Sequence, residues 1–216
     1  MLSREQLRTV YDRVGAWQDA QSFYEKGAVD ALLRHGAFDR ASSILEIGCG
    51  TGALARQLLA DVCPGDMKYQ AIELSPVMAA LAQDSVAPFS GRATICVTGG
   101  APPLDVPDGS VDRVVAAYVL DVLPRSDIIT LLDEAHDALQ PGGRICFCGL
   151  SPGKTVLSRM LVAAWTGVHA VAPSAVGGCR PVAVKPLLDT SRWRIVHHET
   201  VTAWGIPSEV LVAMKP

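Results

Sequence analysis

The chain has 216 residues, 49% of them hydrophobic and 19% charged, with a formal net charge of −3 and a pI near 5.9. That length suffices for one domain with a sizeable core, and the composition is that of a soluble globular protein. The mild acidity excludes a protein that coats nucleic acid, because displacing counterions from phosphates requires a basic stripe.

The first forty residues read as a helical cap, opening with a capping box in which Ser3 precedes Gln6 by three. Leu7, Val10, Tyr11, Val14 and Trp17 form one apolar stripe, with Arg4, Arg8 and Asp12 across the helix. The stripe is expected to dock on the domain and cover a site; a second reading has it touch a membrane or admit a greasy acceptor. Charges every few residues along "MLSREQLRTVYDR" exclude a signal peptide, and the expected compartment is the cytoplasm.

Short continuous apolar runs then alternate with longer periodic ones, the pattern of a parallel sheet covered on both faces. Strands are expected at 43–47, 68–73, 93–98, 112–117 and 144–148, and helices at 52–62, 76–87 and 126–139. The turns "CPGD", "PDGS" and "PGG" punctuate them. Residues 151–186 are Pro/Gly-interrupted, partly helical, and read as an insert. Its most apolar part, Thr155 to Ala172, is broken by Arg159 and His169 and falls short of a membrane span. "WRIVHHETV" and "SEVLVAMKP" read as an antiparallel hairpin closing the sheet. The expected fold is therefore α/β: a Rossmann-like, doubly wound, seven-stranded sheet with an antiparallel last strand, in a single domain over 1–216.

Six cysteines sit mostly inside apolar runs with no Cys-x-x-Cys pair, so they read as free thiols in a reducing compartment, and no metal site is expected. His197 and His198 adjoin in a strand, point to opposite faces and cannot act as a pair; neither they nor His136 is given a role.

The stretch "ILEIGCGTGALA", Ile44 to Ala55, decides the function. Gly48-x-Gly50-x-x-Ala53 satisfies the loose dinucleotide fingerprint, following a strand and opening a helix. Glu46, two residues before the first glycine, opposes a pyrophosphate, which favours positive potential. The same carboxylate suits S-adenosylmethionine, which carries an ammonium and a sulfonium and no phosphate. Glu73, 21 residues past the last glycine, ends the second strand where an acid accepts from ribose hydroxyls. Each acid also has a plain structural reading, as a carboxylate satisfied by nearby amides or a helix-start acid.

"ILEIGCGTG", "AIELSPVMAALA", "GGAPPLDVPDGSVDRVVAAYVLDVL" and "LQPGGRICF", in that order, resemble the successive motifs of class I S-adenosylmethionine-dependent methyltransferases. "YDRVGAWQDAQSFYEKGAVDALL" resembles, more narrowly, the N-terminal cap of the ubiquinone/menaquinone and phosphatidylethanolamine N-methyltransferase group. The resemblance implies that Glu46, Gly48, Gly50 and Gly52 surround the methionine part of the cofactor and Glu73 its ribose. By the same resemblance Leu74 and Met78 would pack on adenine and Ala117 and Tyr118 would lie beside the methyl group; Tyr11, near the reacting end, is also expected among the cofactor contacts. Gly100 and Ala101 fall where the family often has an acid followed by a residue whose backbone meets adenine. That acid is missing here, so aspartate at 100 is expected to leave binding unchanged or tighten it.

Methyl transfer needs chiefly proximity, alignment and a dry pocket, with a base only where the acceptor must lose a proton. Tyr118 and Asp121, just past the fourth strand, are the catalytic candidates, although Asp121 reads equally as a turn carboxylate. Tyr11 and Tyr24 read more readily as packing. The fourth strand ends in "AAYV", unlike the turn of amide or adenine-amine methylation, and no acidic cluster suggests a metal-dependent catechol enzyme. The expected reaction is methyl transfer from S-adenosylmethionine, giving S-adenosylhomocysteine, to a small-molecule or lipid-like acceptor, phospholipid amines among them. A NAD(P)-dependent oxidoreductase and a cofactor-binding but inactive regulatory subunit are the alternatives.

Overall fold

A computed structural model of the chain describes residues 1–15 and 22–216; Trp17 of the expected stripe lies outside them. The strands are β1 (Ser43–Ile47), β2 (Lys68–Glu73), β3 (Ala93–Val97), β4 (Val111–Ala117), β5 (Leu139–Leu150), β6 (Arg194–Ala203) and β7 (Ile206–Met214). The helices are α1 (Arg4–Val14), α2 (Ser22–His35), α3 (Ala53–Gln57), α4 (Pro76–Val86), α5 (Arg125–Ala138) and α6 (Val156–Val171). The strands form one sheet in the order β3-β2-β1-β4-β5-β7-β6. Pairing is parallel from β3 through β5, and β7 runs antiparallel to both its neighbours. The expected doubly wound sheet with its reversed last strand is what the chain builds.

The apolar runs follow from burial on both faces. Leu45, Ile47, Phe147 and Leu211 enter one core with Ile128, Leu131 and Leu132 of α5. Ile44, Cys146, Cys148, Val210 and Val212 enter the other with Ala28, Ala31 and Leu32 of α2 and Ala79 and Ala82 of α4. Each fully buried Leu, Ile or Phe contributes roughly 1.5–3 kcal/mol by leaving water, so β1 and β5 have no room for a polar face.

Two elements differ from expectation by more than a residue or two at an end. The helix expected at 52–62 splits: Gly52 is a left-handed N-cap with φ 78°, α3 ends at Gln57, and Leu58–Val62 is a π-turn closed by Cys63 N–H donating to Leu58 O at 2.9 Å. β5 begins five residues early because "PGG" is held in the sheet, with Gly142 N–H donating to Lys215 O at 2.9 Å and Lys215 N–H to Gly143 O at 2.9 Å. Within the region read as an insert, α6 forms one regular helix under a Thr155–Ser158 capping box.

The Ser3–Gln6 capping box starts α1. Its stripe docks on the domain, with Leu7 buried and Val10, Tyr11 and Val14 half-buried. Two side chains placed across the helix also reach inward. Arg4 donates to Gly99 O at 3.3 Å and Pro102 O at 2.7 Å, and Asp12 Oδ1 accepts from Ser75 Oγ at 2.5 Å. These bonds tie α1 across the carboxyl ends of β2 and β3.

Candidate active site

A cavity of about 370 Å³ opens at the carboxyl ends of β1, β2 and β4, under α1 and α2. Strand order reverses direction of growth between β1 and β4, the crevice where open α/β sheets bind ligands. The volume is that of a small-molecule site.

The turn after β1 forms its floor. Gly48 (φ 66°) donates to Ile72 O at 2.8 Å, and a Cβ there would lie 2.7 Å from Val119 Cγ2. Gly50 (φ 55°) faces open space, and its N–H donates to Glu73 Oε2 at 3.0 Å. Both positions demand glycine, and both line the cavity. Gly52 does not. A Cβ on it would sit 2.8 Å from Ala82 Cα, so this glycine lets α3 pack on α4 and is withdrawn from the group expected around the cofactor.

Glu46 is 2% exposed on the cavity wall and accepts a short hydrogen bond from the Tyr69 hydroxyl. Burial raises its carboxyl to about 7, against the Tyr69 bond, which lowers it; nearby Glu73 adds to the rise. Tyr69 escaped the sequence reading. Its signal is the register: Glu46 pairs with Ala71, and Tyr69 lies two residues earlier on the same face of β2.

Glu73 accepts from Gly50 N, Leu74 N at 2.9 Å and Ser75 N at 3.0 Å. Burial raises its carboxyl and these bonds lower it. A carboxylate has about four lone-pair sites, so about one acceptor site is left over from these three bonds. Ser75, also unforeseen, N-caps α4 by accepting from Met78 N at 3.1 Å while it donates to Asp12. Leu74, Met78, Gly100 and Ala101 line the same end, where Thr98 Oγ1 accepts from Gly100 N at 3.2 Å.

The other end is largely aromatic and aliphatic, with the Glu25 carboxyl of α2 on the same wall. Ala117, Tyr118, Val119, Val122 and Leu123 line it, with Tyr11 from α1 and Val29 from α2. Tyr118 holds φ 53°, uncommon for a bulky side chain, and its hydroxyl pairs with Ser208 Oγ at 2.8 Å. Its ring meets Tyr24 edge-to-face at 6.0 Å. Burial pushes the phenols of Tyr118 and Tyr11 far above their usual range, so neither is a base at neutral pH. Tyr11 Oη lies 3.8 Å from Cys179 Sγ.

Asp121 is a correction to the expected catalytic pair. It is 0% exposed, does not line the cavity, and its Oδ2 accepts from Leu150 N at 2.9 Å. Burial raises its carboxyl to about 7. A group walled off from the reacting space is structural: it fastens the turn after β4 to β5.

His198 bonds Glu209 Oε1 at 2.8 Å, while His197 bonds Glu199 Oε1 at 3.0 Å and stacks on His35 at 3.6 Å between ring centroids. The adjacent histidines thus have separate partners. His136 packs edge-on to Trp193 at 5.0 Å and contacts Arg192, away from the cavity.

The reversed last strand, the glycine turn and the two acids at the ends of β1 and β2 define the class I S-adenosylmethionine-dependent methyltransferase architecture. Residues 44–143, a little under half of the chain, match the family model described as a methyltransferase domain. It is 33% identical over 120 residues to a ubiquinone/menaquinone biosynthesis C-methyltransferase of Methylobacterium nodulans, covering 55% of this chain and 46% of that protein. It is 24% identical over 152 residues to a malonyl-(acyl-carrier protein) O-methyltransferase of Serratia marcescens, covering 70% and 55%. The chain thus spans about half the length of these two relatives. Among solved structures, the N-methyltransferase NodS of Bradyrhizobium japonicum WM9 in complex with S-adenosylhomocysteine superposes with a TM-score of 0.71 at 20% identity, covering 98% of this chain and 97% of that one. The 4+2 cyclase SpnF superposes with a TM-score of 0.76 at 16% identity, covering 100% and 97%. At such identities the likeness is one of fold.

Proposed function

We propose that this chain transfers the methyl group of S-adenosylmethionine to a small or lipid-like apolar acceptor. The observation that carries the reading is the charge of the cavity wall. Glu46 and Glu73 face the glycine turn, and the cavity's two basic side chains are engaged elsewhere, Arg4 on carbonyls after β3 and Lys26 on Asp30 at 2.8 Å. A cationic, phosphate-free ligand suits that wall; a pyrophosphate does not.

When bound, the cofactor supplies a methyl group on a positively charged sulfur with a neutral leaving group. The chain's own residues do the rest. Glu46, set by Tyr69, offers negative charge to the methionine part, and Gly50 lets the backbone approach it. Glu73 accepts from the ribose, and Leu74 and Met78 pack on adenine. Tyr118, Val119, Val122 and Leu123 exclude water and position the acceptor, with α1 closing the space. With both tyrosines held protonated, the reading favours an acceptor that needs no strong base from the protein. The apolar far wall supports a greasy acceptor; lipid amines fit this class. We read 1–216 as one catalytic domain, and six free cysteines favour the cytoplasm.

The superposition on a protein named as a cyclase is a reminder that fold alone does not select the reaction. Calorimetric titration with S-adenosylmethionine, S-adenosylhomocysteine and NADH, followed by transfer assays with labelled cofactor and quinol, phenol and lipid-amine acceptors, tests the reading. Binding of both sulfur nucleosides with methyl transfer is expected, and Glu73→Ala should weaken binding by the roughly 1.5–3 kcal/mol of a charge-assisted hydrogen bond. Preference for NADH would restore the oxidoreductase reading. Binding without transfer to any acceptor would favour the regulatory one.

A further inference from the structure

The outer face of α6 does not suit water. One stripe, Ser158, Val162, Trp165 and His169, turns toward the domain at helical spacing, and the Trp165 indole donates to Cys179 O at 2.9 Å. The rest of the helix is exposed and nearly all apolar: Val156 is 77% exposed, Leu157 61%, Met160 66%, Leu161 39% and Val171 88%. The turn between β6 and β7 extends this surface. Trp204 is 79% exposed, and Leu161 Cδ1 and Leu157 Cδ2 close on the neighbouring Gly205, at 2.5 and 3.7 Å from where a Cβ would stand. A helix apolar nearly all round belongs in a core or against lipid. Residues Val156–Val171 lie outside the core, and no helix among the described residues is long and apolar enough to cross a membrane.

Charge selects the occupant. The chain carries a net −3, yet residues 151–188 hold Lys154, Arg159, Arg180 and Lys185 and no carboxylate. Lys154 and Arg159 are exposed beside the first turn of the apolar face. A second copy docked through this face brings no carboxylate of residues 151–188 to pair with those cations. An anionic bilayer instead offers hydrocarbon to the leucines, a headgroup layer to Trp204 and phosphates to the two cations. We propose that α6 and the Trp204 turn form a docking surface for anionic lipid membranes, with α6 lying in the plane of the headgroups. The helix is two contacts from the cavity: Trp165, on its inward stripe, bonds Cys179, whose Sγ lies 3.8 Å from Tyr11 Oη on α1.

The test is sedimentation of the full chain with vesicles of phosphatidylcholine and phosphatidylglycerol, beside vesicles of phosphatidylcholine alone. Binding is read without cofactor or acceptor, so its outcome is independent of the proposed methyl transfer. The expected result is binding to the anionic vesicles that falls with added salt, about tenfold weaker in Leu157→Asp/Met160→Asp and reduced toward the phosphatidylcholine level in Lys154→Glu/Arg159→Glu. Circular dichroism and thermal melting check that the variants fold; Trp204→Ser, on a turn, serves where the double variant does not. No binding to anionic vesicles, or binding that these variants leave unchanged, would overturn the proposal. So would a dimer that Leu157→Asp dissociates in a protein that ignores vesicles, which would assign the face to a second copy.

Discussion

Replacing Glu46 with glutamine should stabilise the unliganded protein at alkaline pH while weakening its hold on a cationic ligand. Glu46 is 2% exposed, and burial raises its carboxyl from an ordinary value of 4.5 to about 7. Ionising it in the folded chain therefore costs on the order of 3 kcal/mol. The folded value lies above the unfolded one, so between the two the folded chain keeps a proton that the unfolded chain has released. Stability accordingly falls as pH rises through that window and levels off above it. Glutamine keeps the shape and can still accept from Tyr69, but it has no proton to lose. Asp121, also raised to about 7 by burial, titrates in both proteins and cancels from the comparison. The melting-temperature gap between variant and native chain should be small near pH 5 and widen to roughly 6–12 °C near pH 8, at about 2–4 °C per kcal/mol for a chain of this size. Binding should run the other way. Native affinity for S-adenosylmethionine should rise as Glu46 ionises, and the variant should lose that part of the pH dependence. Scanning fluorimetry across pH and calorimetry at two pH values read both effects. An equal melting gap at pH 5 and pH 8 would refute the claim that Glu46 holds a buried, costly charge.

Gly52→Ala should destabilise the fold by about 3 kcal/mol or more, because φ is 78° and the added Cβ meets the backbone Ala82 Cα at 2.8 Å; a melting temperature within a degree of wild type would contradict this. Arg4→Ala should cost under about 1 kcal/mol of stability, its side chain being half-exposed, yet weaken cofactor binding severalfold by untying α1 from Gly99, Gly100 and Pro102; calorimetry beside melting separates the two effects. Gly100→Asp should weaken binding, contrary to the expectation from sequence. Its φ is 92°, a strain of about 1–3 kcal/mol for aspartate, and the Arg4 Nε 3.8 Å from the new Cβ offers an exposed ion pair worth under about 1 kcal/mol. Tighter binding in the titration would restore the missing-acid reading.

The strands were legible because β1, β4 and β5 are buried on both faces, which forces continuous apolar runs that no helix-period pattern imitates. The places of Gly48, Gly50, Glu46 and Glu73 on the cavity were legible because a strand, a tight turn and a helix fix them within a few residues. What sequence could not separate is two reasons for the same residue type. Gly48 and Gly50 serve the cavity; Gly52, two residues on, serves helix packing against Ala82, a contact 30 positions away along the chain. Asp121 failed for a related cause. Its distance past β4 suits a cavity residue, but Tyr118, at φ 53°, turns the chain, and the 3-10 turn Leu120–Val122 brings the carboxylate inward to β5. The clue is in β5 itself: Gly149 stands in the strand interior, and a Cβ there would lie 2.5 Å from Asp121 Oδ1. An interior strand glycine marks close approach by another group, and here that group is the acid read as catalytic. Glu46 kept its place for the opposite reason. Its neighbour across the sheet is Ala71, too small to cover it, so Tyr69 reaches it from two residues away while the carboxylate still borders the cavity. The two acids share burial and a carboxyl raised to about 7, and what separates them is that Glu46 borders the cavity and Asp121 does not.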